Sequence, residues 1–225
     1  MDNEYRYTDR TASPALAGEQ AARVLRNTYG LLAMSLAVAA AAGWYAMAAN
    51  IGFINPFITL GVYFALLFAN AKLQNSAWGI LSVFGITGWL GFTTGPLIAA
   101  YAGMAGGMEV VNTALSVTAL VFVGMSGIAL VTKKDFSFMG SFLMVGLLVA
   151  FICAIVTLFV DMPALRLAAS AMFALLSSMV ILWQTSAIIH GGETNYIRAT
   201  VTLFVSLYNL FLSLLHLLTA LSGDD

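Results

Sequence analysis

Apolar residues along this chain fall into seven long runs separated by a few polar positions each. The polar boundaries predict helices at about 28–49, 52–71, 77–101, 110–131, 136–160, 164–189 and 197–221. Spanning a hydrocarbon core takes ~20 predominantly apolar residues, and each run has about that length. The expected fold class is all-α: a polytopic membrane protein with one seven-transmembrane-helix bundle over residues 28–221. A polar tail, Met1 to Asn27, precedes the bundle and is expected to be disordered, because it shows little apolar periodicity. Residues 222–225 form a short C-terminal tail. The second run is the weakest, with Asn55 and Pro56 near its start. Proline is tolerated in a first turn, where its missing N–H would be unpaired anyway.

Composition agrees with that pattern. Hydrophobic residues make up 61% of the chain and charged residues 8%, with a mean hydropathy of +0.93. Nine Lys/Arg and ten Asp/Glu are too few to coat a soluble globule of 225 residues. The net charge of -1 and the lack of a basic patch argue against a nucleic-acid partner. The lone Cys153 sits mid-run and predicts neither a disulfide nor a metal cage. No haem, flavin or nucleotide motif is present, so no cofactor is expected. Ala46-Met47-Ala48 resembles a signal-peptide cleavage site, but the leader is long and carries both signs of charge. The run before the site also exceeds the ~7–15 apolar residues of a signal peptide. The first run is therefore expected to be retained as a helix.

The few cations set an orientation. Arg6, Arg10, Arg23, Arg26, Lys72, Lys133, Lys134 and Arg198 fall on one side of the seven-span arrangement, and only Arg166 falls on the other. Cytoplasmic loops carry the excess of Lys and Arg. The N-terminus is thus expected in the cytoplasm and the C-terminal Gly223-Asp224-Asp225 in the periplasm. Short connections make sequential helices antiparallel neighbours. In Thr132-Lys133-Lys134-Asp135, the lysines suit a helix C-terminus, and Asp135 is expected to N-cap the fifth helix. Gly191 and Gly192 end the sixth helix, and Thr194 or Asn195 starts the seventh. No inverted repeat of the transporter kind is found.

Inside the spans, Gly85, Gly88, Gly91 and Gly95 share a face of the third helix where a partner backbone can approach. Pro96 is expected to kink that helix near its outer end. The seventh helix carries Thr202, Ser206, Asn209, Ser213 and His216 at spacings of four, three, four and three, hence on one face. The sixth offers Ser177, Gln184 and Thr185. Such groups must face other helices or water. They read either as interhelical hydrogen-bonding glue or as a polar cavity lined by Gln184, Ser206, Asn209, Thr202 and Ser213. No Asp or Glu lies in the middle of a span, which argues against a pump or coupled transporter, since proton relays and ion pathways need such groups. Gly124-Met125-Ser126-Gly127 matches the G-x-S-G signature of rhomboid proteases, with His190 as the candidate base. A tetrapeptide of residues common in packed membrane helices is a weak motif.

Three stretches together carry a resemblance. They are Val24 to Tyr29, Thr132 to Ser137, and the long run from Gln184 through His190-Gly191-Gly192-Glu193-Thr194-Asn195-Tyr196 to Asn209. The chain resembles the Bax inhibitor-1 family, and within it the bacterial YccA branch, over almost its whole length. The resemblance implies an inner-membrane protein that is not an enzyme. It also implies FtsH, the membrane-anchored AAA+ zinc protease, as partner, with this chain as both inhibitor and substrate. The N-terminal tail would be the segment the protease grips. The wider family implies a second reading, a pH-dependent Ca²⁺ leak through a pair of aspartates on the last two helices. Those positions correspond here to Gln184 and Ser206, neither of which ionises. A carboxylate pair that shares a proton is therefore missing, and pH gating is not expected.

Overall fold

The computed structural model describes residues 14–222, with side chains from residue 18 onward. Among them are seven helices: α1 Pro14–Ala48, α2 Pro56–Leu73, α3 Trp78–Ala102, α4 Gly107–Thr132, α5 Met139–Val156, α6 Pro163–Ile189 and α7 Tyr196–Leu221. All seven are long and apolar enough to cross a membrane. The α2–α3, α4–α5 and α6–α7 connections lie at one end of the bundle, the Lys133 end. The other three lie at the Arg166 end.

The first helix begins well ahead of the position the hydropathy pattern predicts. Residues 14–27, expected to be disordered, are helical; residues 1–13 lie outside the described residues. The pattern located only the stretch that needs lipid. The segment before it is rich in Ala, Leu, Glu, Gln and Arg, which are strong helix formers whatever the solvent, and it opens on Pro14, a residue favoured in a first turn. The fifth helix is shorter than expected, 18 residues from Met139 to Val156. Asp135 does not cap it. Its carboxylate accepts from the backbone N–H and hydroxyl of Ser137, which closes a local turn, and Phe138 occupies the cap position. Elsewhere the start signals act as read. Asn55 accepts from Phe57 N–H ahead of Pro56, and Asn195 accepts from the N–H groups of Ile197 and Arg198. Gly191 takes a φ of +75° just past α6, a conformation glycine adopts without a Cβ penalty. The third helix runs through Pro96 without a break.

Helix α7 is the hub. It packs on α1, α3, α4 and α6, while α2 rests on α3 and α5 on α6 at the periphery. The main core joins Leu31 and Leu32 of α1, Val83, Ile86 and Leu90 of α3, Ile181 of α6, and Leu203, Phe204 and Leu210 of α7. The glycine face of α3 divides its work. Gly85 faces Leu66 of α2 at an ordinary distance, and Gly88 faces Val38 of α1. Only Gly91 and Gly95 meet backbone. A Cβ on Gly91 would stand 2.6 Å from Ala39 Cα, and one on Gly95 would stand 2.6 Å from the Gly43 carbonyl oxygen. Lipid offers no hydrophobic drive between helices, so such close backbone approach supplies the dispersion contact that does.

Candidate functional site

Two polar regions distinguish the bundle from a generic one: an interior seam between α1, α4, α6 and α7, and a clasp at the Lys133 end. The seam contains the residues the sequence singles out. Gln184, Ser206 and Ser213 are buried, and Thr202 and Asn209 are half-buried. They do not form one hydrogen-bonded cluster. The Thr202 hydroxyl donates to the Arg198 carbonyl and the Ser206 hydroxyl to the Thr202 carbonyl, both within α7. Hydroxyls in helices often bond back four residues in this way. That leaves the Gln184 amide nitrogen across the helix pair without a protein partner.

Gln184 is one of several. Among the described residues, Thr28 and Ser35 of α1, Ser126 of α4 and Ser177 of α6 also bury a hydroxyl with no protein partner. Thr28 and Ser35 are seven residues apart, as are Ser177 and Gln184, so each pair lies on one face of its helix. Residues next to them join the same helices. Tyr29 OH lies 3.3 Å from Thr185 Oγ1, and the Tyr29 ring meets Phe122 of α4 edge-on at 5.7 Å. The Thr200 hydroxyl shares its proton between the Tyr196 carbonyl at 2.7 Å and the Thr28 carbonyl at 3.2 Å. Inside lipid an unpaired hydroxyl or amide is costly, and buried water satisfies such groups in most proteins. The α1 members Thr28, Tyr29 and Ser35 escaped the sequence reading. Their seven-residue spacing was the available signal, but three such residues in a long alanine-rich run make a weak stripe.

The clasp gathers three connections. Ser186, one turn before the end of α6, accepts from Phe136 N–H at 3.1 Å and donates to the Lys134 carbonyl at 3.1 Å. His190 places Nδ1 2.9 Å from the Ser186 carbonyl oxygen and Nε2 3.1 Å from that of Lys133. On the other side Asn195 donates to the Gln74 carbonyl at 3.1 Å and to Asn75 Oδ1 at 2.8 Å, while its own oxygen caps α7. Its two donors and its acceptor are thereby committed. The α6–α7 connection thus fastens both the α4–α5 and the α2–α3 connections. Asp135, exposed in this group, has its carboxyl held below the usual range, chiefly by the two Ser137 hydrogen bonds and less by the charge of His190. Ser126 and His190 form no serine–histidine pair. Ser126 is buried without a partner, whereas His190 is exposed and engaged by Lys133 and Ser186. The rhomboid-like reading therefore fails on geometry. Among the described residues no group of three His, Cys, Asp or Glu is placed to hold a metal ion.

Residues 21–223 match the profile of the family described as "Inhibitor of apoptosis-promoting Bax1". The Escherichia coli K12 protein named "Modulator of FtsH protease YccA" is 48% identical over 205 residues, covering 90% of this chain and 92% of the relative. A match with the same identity and coverage in a second E. coli strain is named "Inner membrane protein YccA". An uncharacterized protein of Pseudomonas aeruginosa is 47% identical over 202 residues, 90% of this chain and 91% of its own. A profile match running from the first helix to the last, and relatives nearly half identical along nine-tenths of the chain, make this protein a member of the Bax inhibitor-1 family.

Proposed function

We propose that this chain is an inner-membrane protein that binds the FtsH protease and modulates it, acting as an inhibitor that is itself a slow substrate. The observation that carries the reading is the 48% identity, over nine-tenths of the chain, to a protein named as a modulator of FtsH. The orientation that places eight of nine cations inside puts the N-terminus and the Lys133-end clasp on the cytoplasmic side, where the protease works, and the C-terminus in the periplasm.

The mechanism follows from where the chain is held. In the described structure, the first cross-helix polar ties of α1 occur at Thr28 and Tyr29. The turns ahead of them, from Gly18 to Asn27, are mostly exposed. A pulling machine that grips the segment Met1 to Asn27 would unwind this stretch easily and then stall. From Thr28 onward it would have to part α1 from α3 across the Gly91 and Gly95 backbone contacts. A protease occupied in this way turns over other substrates more slowly. Purification of the tagged full chain from its own membranes in mild detergent tests the partnership, and stoichiometric recovery of FtsH is expected. Deleting residues 2–20 tests the grip, and degradation at an unchanged rate would refute it.

The five buried polar atoms without protein partners favour a second reading: a hydrated seam between α1, α4, α6 and α7 that leaks cations. Gln184 and Ser206 cannot supply a pH-sensitive carboxylate pair, so such a leak, of Ca²⁺ or another cation, would be ungated by pH. It predicts liposome flux that changes when Asn209 becomes leucine; flux indifferent to that change removes the reading.

A further inference from the structure

We propose that the crevice between α1 and α4 is a binding site for one acyl chain of a bilayer phospholipid. The two helices both rest on α7 but barely meet each other. Between them lies a cavity of about 490 Å³ whose lips are Leu36 and Trp44 on α1 and Leu115 and Val123 on α4, all exposed on the outer surface of the bundle. Its floor is formed by Gly91 and Thr94 of α3 and Phe204 and Tyr208 of α7. The one polar pair there is internally satisfied. Tyr208 OH lies 3.2 Å from Thr94 Oγ1, and the Thr94 hydroxyl donates to the Leu90 carbonyl at 2.7 Å.

The packing explains why the crevice exists. Gly91 and Gly95 draw α1 onto α3 by backbone contact, whereas α1 and α4 barely meet. Several positions along the gap are small and leave it unfilled: Ala39, Ala40 and Gly43 on one wall and Ala119 on the other.

The occupant follows from environment and size. The crevice is continuous with the apolar outer surface, and in a membrane that surface is covered by lipid tails. An apolar cavity does not recruit water, and an empty one forfeits the dispersion contacts of its walls. Along α1 it runs from Leu36 to Met47, about 16 Å at 1.5 Å per residue. Spread over that length, the volume of about 490 Å³ leaves a mean cross-section of about 30 Å², at the rise just used. A polymethylene chain, whose carbons keep about 4 Å from their neighbours, needs a section on the order of 20 Å². A single tail fits the crevice.

The test is photolabelling of the full-length protein in phosphatidylethanolamine/phosphatidylglycerol liposomes containing a phospholipid with a diazirine in its C16 acyl chain, with adducts mapped by peptide mass spectrometry. Phe204 is 2% exposed and stands behind α1 and α4, so a tail reaches the floor only by entering the crevice. Adducts are expected on the floor residues of α3 and α7. They should fall at least five-fold in Ala119→Phe and in Ala40→Phe, which fill the gap from opposite walls, while labelling of outward-facing Met144 and Leu148 on α5 stays constant. A floor left unlabelled in the unmodified chain overturns the proposal, and that result needs no variant to fold. Floor labelling equal in the filled variants also overturns it. Floor labelling seen in liposomes but absent in native membranes would give the site to another protein and overturn it as well.

Discussion

Arg198 closes a two-pronged ion pair on Glu193, with Nε 2.6 Å from Oε2 and Nη2 2.9 Å from Oε1. The carboxylate is nearly buried, whereas the guanidinium is half exposed. Glu193 also accepts from Asn195 N–H at 2.8 Å and donates its own N–H to the Ala187 carbonyl, so the pair fixes the connection that leads into α7. Arg198→Ala is expected to destabilise the protein by about 1–2 kcal/mol. That is the low end of the cost of stranding a buried acceptor, discounted because solvent reaches the missing partner's place. Arg198→Lys restores the charge without the fork and should recover less than half of the loss. Unfolding of the detergent-solubilised chain followed by tryptophan fluorescence measures both.

His190 makes the other half of the clasp. Its ring reaches a carbonyl with each nitrogen, Nδ1 toward Ser186 and Nε2 toward Lys133. His190→Gln keeps a donor but cannot reach in both directions. Hydrogen exchange in Lys133 to Phe138 should then accelerate several-fold, while exchange at the α2–α3 turn, held by Asn195 rather than His190, should not change. Equal acceleration at both turns would mean that the two sides of the clasp are not independent.

These two ties show where sequence reading stops. The start of α7 at Asn195 was legible because asparagine caps through its own backbone neighbours, whereas α2, expected from about residue 52, begins only at Pro56, behind its Asn55 cap. The buried placing of Ser206 and Ser213 was legible because helical period dictates a face. The pattern missed the long-range choices. Ser206 turns its hydroxyl back to the Thr202 carbonyl of its own helix, and Asn195 reaches Gln74 some 121 residues earlier. Periodicity carries no information about which of two available acceptors a hydroxyl takes. The start of α1 was missed for a different reason. Hydropathy reports the membrane's thickness, whereas a helix ends where propensity and capping say, and the Ala-rich segment after Pro14 has no cause to stop at the lipid boundary.

The α1–α3 contact gives a paired test on one helix. Gly91→Ala places a Cβ against the backbone of Ala39, which cannot move aside without displacing α1. A cost of about 1–3 kcal/mol is expected from such overpacking. In Gly88→Ala the nearest neighbour of the new Cβ is Val38 Cγ1 at 3.7 Å, an ordinary contact. There the gain in helix propensity, up to ~1 kcal/mol, should leave stability unchanged or raised. The same ordering should appear in resistance to FtsH if extraction begins by parting α1 from α3.

Asp135 supplies an acid-side prediction. Its carboxyl is held below the usual range by Ser137, so the folded state favours the ionised form. The contribution to stability is present above the unfolded-state value of about 3.9 and is lost as pH falls through the lower folded value. Asp135→Ala should therefore melt below the unmodified chain at pH 7, and the difference between the two should shrink as pH is lowered toward 3. A difference that holds constant across that range would locate the effect in the shape of the turn and not in the charge.

Ser177, 1% exposed and with no protein partner for its hydroxyl, decides between a dry and a wet interior of the seam. In a dry seam Ser177→Ala removes a buried polar group that nothing satisfies, and stability should rise by about 1–3 kcal/mol, the penalty of an unmade hydrogen bond. In a wet seam the hydroxyl holds a water that also serves its neighbours, and losing it should cost about 1 kcal/mol. The expected outcome is a loss. Thr28, Ser35, Ser126 and Gln184 share the same condition, and so many buried unpaired groups are hard to reconcile with a dry interior. A gain on Ser177→Ala, repeated on Ser35→Ala, would instead mark the seam as dry and leave the cation-leak reading without a path.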